Sequence, residues 1–211
     1  MKKIRYSEIT PERIYRNRRN FIKSMSLGAG SVALSSIPFI NNARSDEDNK
    51  LTSYKDITTY NNYYEFGTSK KDPYKNSQNF KTSPWNITVE GEVENPISLS
   101  MEEISEMFVS EERVYRLRCV EGWSMVIPWM GFSLNQLLSK VTFTSKAKFV
   151  EFESVYDPEQ MRGQKYPVLK WPYKEGLRID EAMHPLTTVV TGLYNKKLPN
   201  QNGAPLRIFL P

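Results

Sequence analysis

The chain has 211 residues, with 29 Lys and Arg against 24 Asp and Glu, and a single cysteine. One cysteine cannot close an internal disulfide, so the fold must hold without covalent staples. Positions 1–43 carry eight basic and two acidic residues, which leaves 21 basic and 22 acidic beyond them. The pI near 9.1 therefore belongs to the N-terminal stretch, and the rest of the chain has no nucleic-acid footprint.

Taken in chain order, Asn17-Arg18-Arg19-Asn20-Phe21-Ile22-Lys23 is a twin-arginine signature. The apolar run that follows, 24–40, is broken by Gly28 and Gly30 and is shorter than the ~20 residues that span a bilayer. A charged start and a short apolar run predict an export signal over 1–43 rather than an anchor. The arginine pair narrows the route to the twin-arginine pathway, and so the location to the periplasm. The remaining 168 residues suffice for one domain. Residues 44–84 are polar, which predicts an extended, loop-rich lead-in. Within it, Tyr60-Asn61-Asn62-Tyr63-Tyr64-Glu65-Phe66-Gly67 sets aromatics beside two amides and a carboxylate. Such an island either clasps a polar ring-containing ligand or lies as an aromatic cover on the core.

The domain proper is expected over 85–211. Alternation over 84–93 predicts a half-buried strand. Ser100-Met101-Glu102-Glu103 reads as a capping box opening a helix to about Phe108. Residues 113–118 alternate and deliver Cys119 at a strand end. Gly122, Pro128 and Gly131 predict an irregular loop after it. A short helix follows over 133–140, a strand over 148–153, a helical turn over 179–183, and strands over 186–191 and 206–210. Many short strands with small helices in the connections predict an α+β, mainly β fold.

Cys119 lies in Arg116-Leu117-Arg118-Cys119-Val120-Glu121. Neighbouring cations stabilise a thiolate, the form that attacks or binds metal, so this cysteine is expected to carry chemistry. The alternative is a small buried hydrophobe. A Cys–His hydrolase would need the only histidine, His184, and nothing in the spacing joins the two; His184 is expected to be structural or to line a pocket. The chain has no G-x-G-x-x-G, Walker A or H-E-x-x-H motif and no paired-cysteine zinc spacing.

The stretches 60–67, 111–121, 123–129, 180–186 and 201–207 together resemble the catalytic subunits of the bacterial periplasmic protein-methionine-sulfoxide reductases. These are twin-arginine-exported molybdoenzymes with the sulfite-oxidase fold, and the resemblance covers nearly the whole chain. It implies a Mo-molybdopterin cofactor with Cys119 as the protein thiolate on molybdenum; a soft thiolate suits a sulfur-rich metal centre. It places Asn61, Tyr64 and Glu65 on the pterin and its phosphate arm. Ser154 stands where the family has threonine, and Asn202 and Arg207 complete the cofactor site. Arg207 could grip a phosphate in bidentate fashion or make a structural salt bridge.

Glu121, two residues from Cys119, is expected near the metal as a catalytic proton relay. The implied reaction removes the oxygen of methionine sulfoxide in oxidised periplasmic proteins, with electrons from a membrane-bound haem-containing partner. A reductase of small S- or N-oxides and a non-catalytic remnant stay open as alternatives. Two departures stand out: Gly122 replaces the family's usual alanine, and the sulfite-oxidase-like molybdopterin-binding fold is expected to be incomplete at the C-terminus, because relatives continue past Pro211.

Overall fold

Capped and alternating segments of the sequence become the elements of the fold in the computed structural model, which describes residues 50–119 and 121–210. These lie in one unit, Asn49–Pro211. The export signal expected over 1–43 falls outside the described residues.

The lead-in is more structured than its composition predicts. Helix α1 (Tyr54–Thr59) is capped by the Ser53 hydroxyl, which accepts from the Asp56 amide at 3.1 Å. A 3-10 turn follows at Tyr64–Phe66, then α2 (Asp72–Asn76), with Pro73 in its first turn. Helices of five or six residues are too short to leave a 3.6-residue period in the sequence.

Strand β1 (Asn86–Val89) pairs antiparallel with β2 (Ile97–Ser100), and α3 (Met101–Met107) starts at once. Both halves of its capping box are made: the Ser100 hydroxyl accepts from the Glu103 amide, and the Glu103 carboxylate accepts from the Ser100 amide. Next come β3 (Glu111–Arg118), β4 (Ser124–Ser133), α4 (Leu134–Leu138) and β5 (Phe149–Glu153). A 3-10 turn at Arg162–Lys165 leads to β6 (Lys174–Arg178), the partner of β5, and to α5 (Ile179–Ala182). The chain then forms β7 (Thr188–Leu193), β8 (Lys196–Lys197), a 3-10 turn at Asn200–Asn202 and β9 (Arg207–Phe209).

The central sheet is antiparallel, in the order β3-β4-β7. On the far side of β7, β9 pairs with its first half and β8 with its second. The β7–β8 hairpin turns through Tyr194 and Asn195, both at positive φ, as a tight type I′ loop requires.

The irregular loop predicted around Pro128 and Gly131 is instead the longest strand, β4. Its burial is nearly continuous from Ile127 to Ser133, which removes the alternation that marks a half-exposed strand. The Pro128 carbonyl accepts from the Tyr194 amide at 3.0 Å. In an antiparallel ladder a residue's N and C=O point to the same side, so the missing proline N–H costs no bond to β3. Gly131 sits where the register with β7 shifts, and a Cβ there would lie 2.1 Å from the Val189 carbonyl oxygen. Glycine marks this bulge because two backbones approach closely.

The sheet is covered on both faces. Val189 packs in a cluster with Ile104, Phe108, Phe132 and Leu134; Phe108 and Phe132 stack with centroids 4.5 Å apart. Its neighbour Val190 packs in a second cluster with Ile57, Trp129, Leu193 and Phe209. Ile57 brings α1 onto the sheet. A third cluster, around Phe66, Phe80 and Met161, joins the 3-10 turn of the lead-in to the loop after β5.

Candidate active site

Strand β3 carries Cys119 to the tip of the long β3–β4 hairpin. The Cys119 amide donates to the Trp123 carbonyl, and the Gly122 amide donates to the Cys119 carbonyl, both at 3.1 Å. Gly122 has φ +80° with open space where a Cβ would point. This is the left-handed region that favours glycine, so the residue suits its turn. The Cys119 thiol is free and half-buried.

The lead-in forms the facing wall. Tyr60 meets the Trp123 ring at 5.2 Å. Lys70 reaches across: its Nζ donates to Glu121 Oε1 at 2.7 Å, to Asn62 Oδ1 at 2.7 Å and to the Tyr64 hydroxyl at 3.5 Å. Its backbone carbonyl accepts from the Asn61 amide at 2.8 Å. The bond to Glu121 does most to raise the Lys70 pKa. Glu121 is thus paired across the site. Sequence reasoning missed Lys70, since no local pattern announces a contact 51 residues away.

Behind this wall, Asn61 and Asn202 converge. Both are buried, and both amide nitrogens donate to the same carbonyl, that of Ile57, at 2.9 and 3.1 Å. Both side-chain oxygens, Asn61 Oδ1 and Asn202 Oδ1, are left buried without a hydrogen-bond partner, as is Trp129 Nε1. Arg207 donates to the Asn202 carbonyl at 3.1 Å and lies over the Trp129 ring at 5.6 Å. The structural salt bridge considered for Arg207 is not among the ion pairs of the described residues. Gln201, also unforeseen, donates to the Thr58 carbonyl at 2.9 Å and locks this turn to α1.

Electrostatics join the remaining residues. Burial pushes the Tyr63 hydroxyl up to about 12; the charge of Glu65 adds to this and that of Arg207 opposes it. Glu65 is itself buried, and desolvation raises its carboxyl above the ordinary glutamate value. The backbone bearing Tyr64 and Glu65 rests on Gly163, where a Cβ would stand 2.0 Å from the Tyr64 carbonyl oxygen. Ser154 follows β5 and donates its hydroxyl to the Tyr173 carbonyl at 3.0 Å, leaving its oxygen lone pairs for a ligand. Val155, next to it, packs with Tyr63 and Trp85 against the cluster of Phe66, Phe80 and Met161. The aromatic island therefore serves as cover and as wall at once.

His184 stays apart. Its Nδ1 accepts from the Leu186 amide, and the adjoining Pro185 carbonyl is held by Arg113. Arg113 precedes Cys119 by six residues of extended chain, about 20 Å. His184 is therefore a turn residue, as expected, with no geometry for a Cys–His dyad. Among the described residues no three His, Cys, Asp or Glu side chains gather as a metal site.

The family model for the oxidoreductase molybdopterin-binding domain matches residues 74–211. The chain belongs to this family. It is 50% identical to the protein-methionine-sulfoxide reductase catalytic subunit MsrP of Xanthomonas axonopodis pv. citri, over 97% of this chain and 68% of that protein. It is 46% identical to the MsrP catalytic subunit of Burkholderia mallei, over 97% of this chain and 67% of that one. Among solved structures, the sulfane dehydrogenase SoxCD of Paracoccus pantotrophus superposes with a TM-score of 0.52 at 11% identity. That match covers 98% of this chain and 54% of the matched chain, and it supports the sulfite-oxidase-like fold.

The residues present fit a molybdopterin. Two orphaned buried amide oxygens call for N–H donors, which a pterin ring presents, and an arginine beside them suits a phosphate arm. A half-exposed thiol at the hairpin tip is open to a metal carried by the cofactor.

Proposed function

We propose that this chain is the catalytic subunit of a molybdopterin-dependent reductase that removes oxygen from methionine sulfoxide residues in proteins. The observation that carries the reading is the 50% identity over 97% of the chain to a relative named for that activity. The convergence of Asn61 and Asn202 on the Ile57 carbonyl, with Arg207 bonded to the Asn202 carbonyl, agrees with it. As in the relatives' name, a catalytic subunit works with a partner. We assign that role to a membrane-bound haem protein that delivers electrons, and we place the reaction in the periplasm, after twin-arginine export.

In this reading Asn61, Tyr64 and Glu65 hold the pterin, Asn202 and Arg207 its polar arm, Ser154 a further polar edge, and Cys119 the molybdenum. When bound, the cofactor supplies two-electron redox chemistry and oxygen-atom transfer. The protein's own part is position and protons. Reducing a sulfoxide to a thioether and water consumes two electrons and two protons. We assign to Glu121, in the turn of Cys119, the passing of protons to the departing oxygen. The Tyr60 and Trp123 rings stand beside that turn and suit a thioether, since sulfur packs well against aromatic edges.

The test is elemental mass spectrometry of chain purified from a pterin-making host, together with reduction of an oxidised methionine peptide. Near one molybdenum per chain with peptide turnover, both lost in Cys119→Ser, is expected. A folded chain that carries no molybdenum would overturn the reading.

A further inference from the structure

We infer that Lys70 is a positioning residue that clamps the Cys119 turn onto the cofactor-holding segment and aims the Glu121 carboxylate. The inference rests on the function proposed above. Lys70 touches both walls of the site at once. Its carbonyl fixes the Asn61 backbone at 2.8 Å. Its ammonium takes Asn62 and Glu121 at 2.7 Å each and lies 5.1 Å from the Tyr64 ring centroid and 6.0 Å from that of Trp123.

Three donors on a tetrahedral ammonium match this arrangement of three acceptors from two segments. The Lys70 and Glu121 side chains are only 22% and 29% exposed, and the rings shield the pair on two sides. A carboxylate on a free side chain samples many rotamers; held by Lys70, Glu121 keeps one direction relative to Cys119. An ordinary surface ion pair contributes too little to stability to explain so many converging contacts. The cluster is therefore better understood as fixing geometry than as holding the fold.

The experiment compares Lys70→Met and Lys70→Arg with wild type, all as molybdenum-loaded protein. Methionine keeps the apolar stem without the charge; arginine keeps the charge and the donors. The readouts are molybdenum per chain, the molybdenum EPR spectrum, and kcat and KM on a methionine sulfoxide peptide. For Lys70→Met we expect molybdenum content near wild type, an altered EPR spectrum, and kcat lower by about tenfold with little change in KM, as a misaimed group beside the reacting centre gives. Lys70→Arg should restore most of both. A Lys70→Met protein with wild-type EPR spectrum and kcat would overturn the inference, and so would a Lys70→Arg protein as impaired as Lys70→Met. If the wild-type chain holds molybdenum but does not turn over sulfoxide, the proposed substrate is wrong, and the EPR comparison still decides the role of Lys70.

Discussion

Glu65 shows how a single buried group reports on the site. Desolvation raises its carboxyl above the value it has in the unfolded chain. The folded state therefore favours the protonated form, and stability is lost as pH rises from the unfolded value through the folded one. The wild type carries this cost increasingly as pH rises above the ordinary glutamate range, whereas Glu65→Gln does not titrate. In protein from a host that makes no molybdopterin, Glu65→Gln should melt above the wild type at pH 7, by a margin that grows as pH rises from the ordinary glutamate range. The difference should vanish as pH falls below the ordinary glutamate range; a constant offset across pH would contradict the assignment.

Asn202 makes the complementary case. Its Oδ1 is buried without a partner, and its amide nitrogen makes one bond, to Ile57. Asn202→Ala removes that bond and the orphan together, so cofactor-free stability should change by less than about 1 kcal/mol. Molybdenum per chain should nevertheless fall severalfold. Equal molybdenum in the variant would take Asn202 out of the cofactor site.

At the scale of elements, the site depends on how the 3-10 turn bearing Tyr64 and Glu65 sits on the one at Arg162–Lys165. Gly163 allows that contact: an added Cβ would meet the Tyr64 oxygen at 2.0 Å and the Glu65 oxygen at 2.7 Å. Gly163→Ala should cost about 1–3 kcal/mol of stability by overpacking and should also lower molybdenum content, because the displaced backbone carries Tyr64 and Glu65, which the proposed function assigns to the cofactor. Gly176→Ala, whose Cβ would have its nearest neighbour at 3.9 Å, is the control and should change neither quantity.

The sequence made some elements plain and hid others, for local reasons. The Ser100 capping box and the alternation of β3 are signals written within a few residues, and α3 and β3 follow them closely. Strand β4 was misread because Pro128 and Gly131 look like loop punctuation; a proline facing away from β3 and a glycine at a bulge are settled only by the partner strands. The cofactor residues were named through resemblance. The physical signal in the sequence went no further than a cysteine among charges and an aromatic island rich in amides. Lys70 and Gln201 carry no local signal, because each acts through residues far along the chain.

For the molecule as a whole, the join between the lead-in and the end of the sheet is polar. Asn61 and Asn202 share the Ile57 carbonyl, Gln201 holds the Thr58 carbonyl, and Asn200 holds those of Ser77 and Phe80. Two orphaned amide oxygens lie within this join, each a cost of about 1–3 kcal/mol that a bound donor would relieve. The chain's single cysteine also leaves it no internal disulfide to brace these segments. A ligand that binds only the folded state stabilises it by mass action, by about 4 kcal/mol when present at a thousand times its dissociation constant. On the proposed assignment of Asn61 and Asn202 to the cofactor, its binding staples the lead-in to the sheet. Chain purified with molybdopterin should melt roughly 8–16 °C above chain from a host unable to make it, given about 2–4 °C per kcal/mol for this size. Amide exchange should slow most in 57–65 and 199–207, where the staple acts, and much less in the β1–β2 hairpin. Equal melting temperatures, or protection spread evenly over the fold, would mean that the cofactor lies elsewhere and that the polar join is held by protein contacts alone.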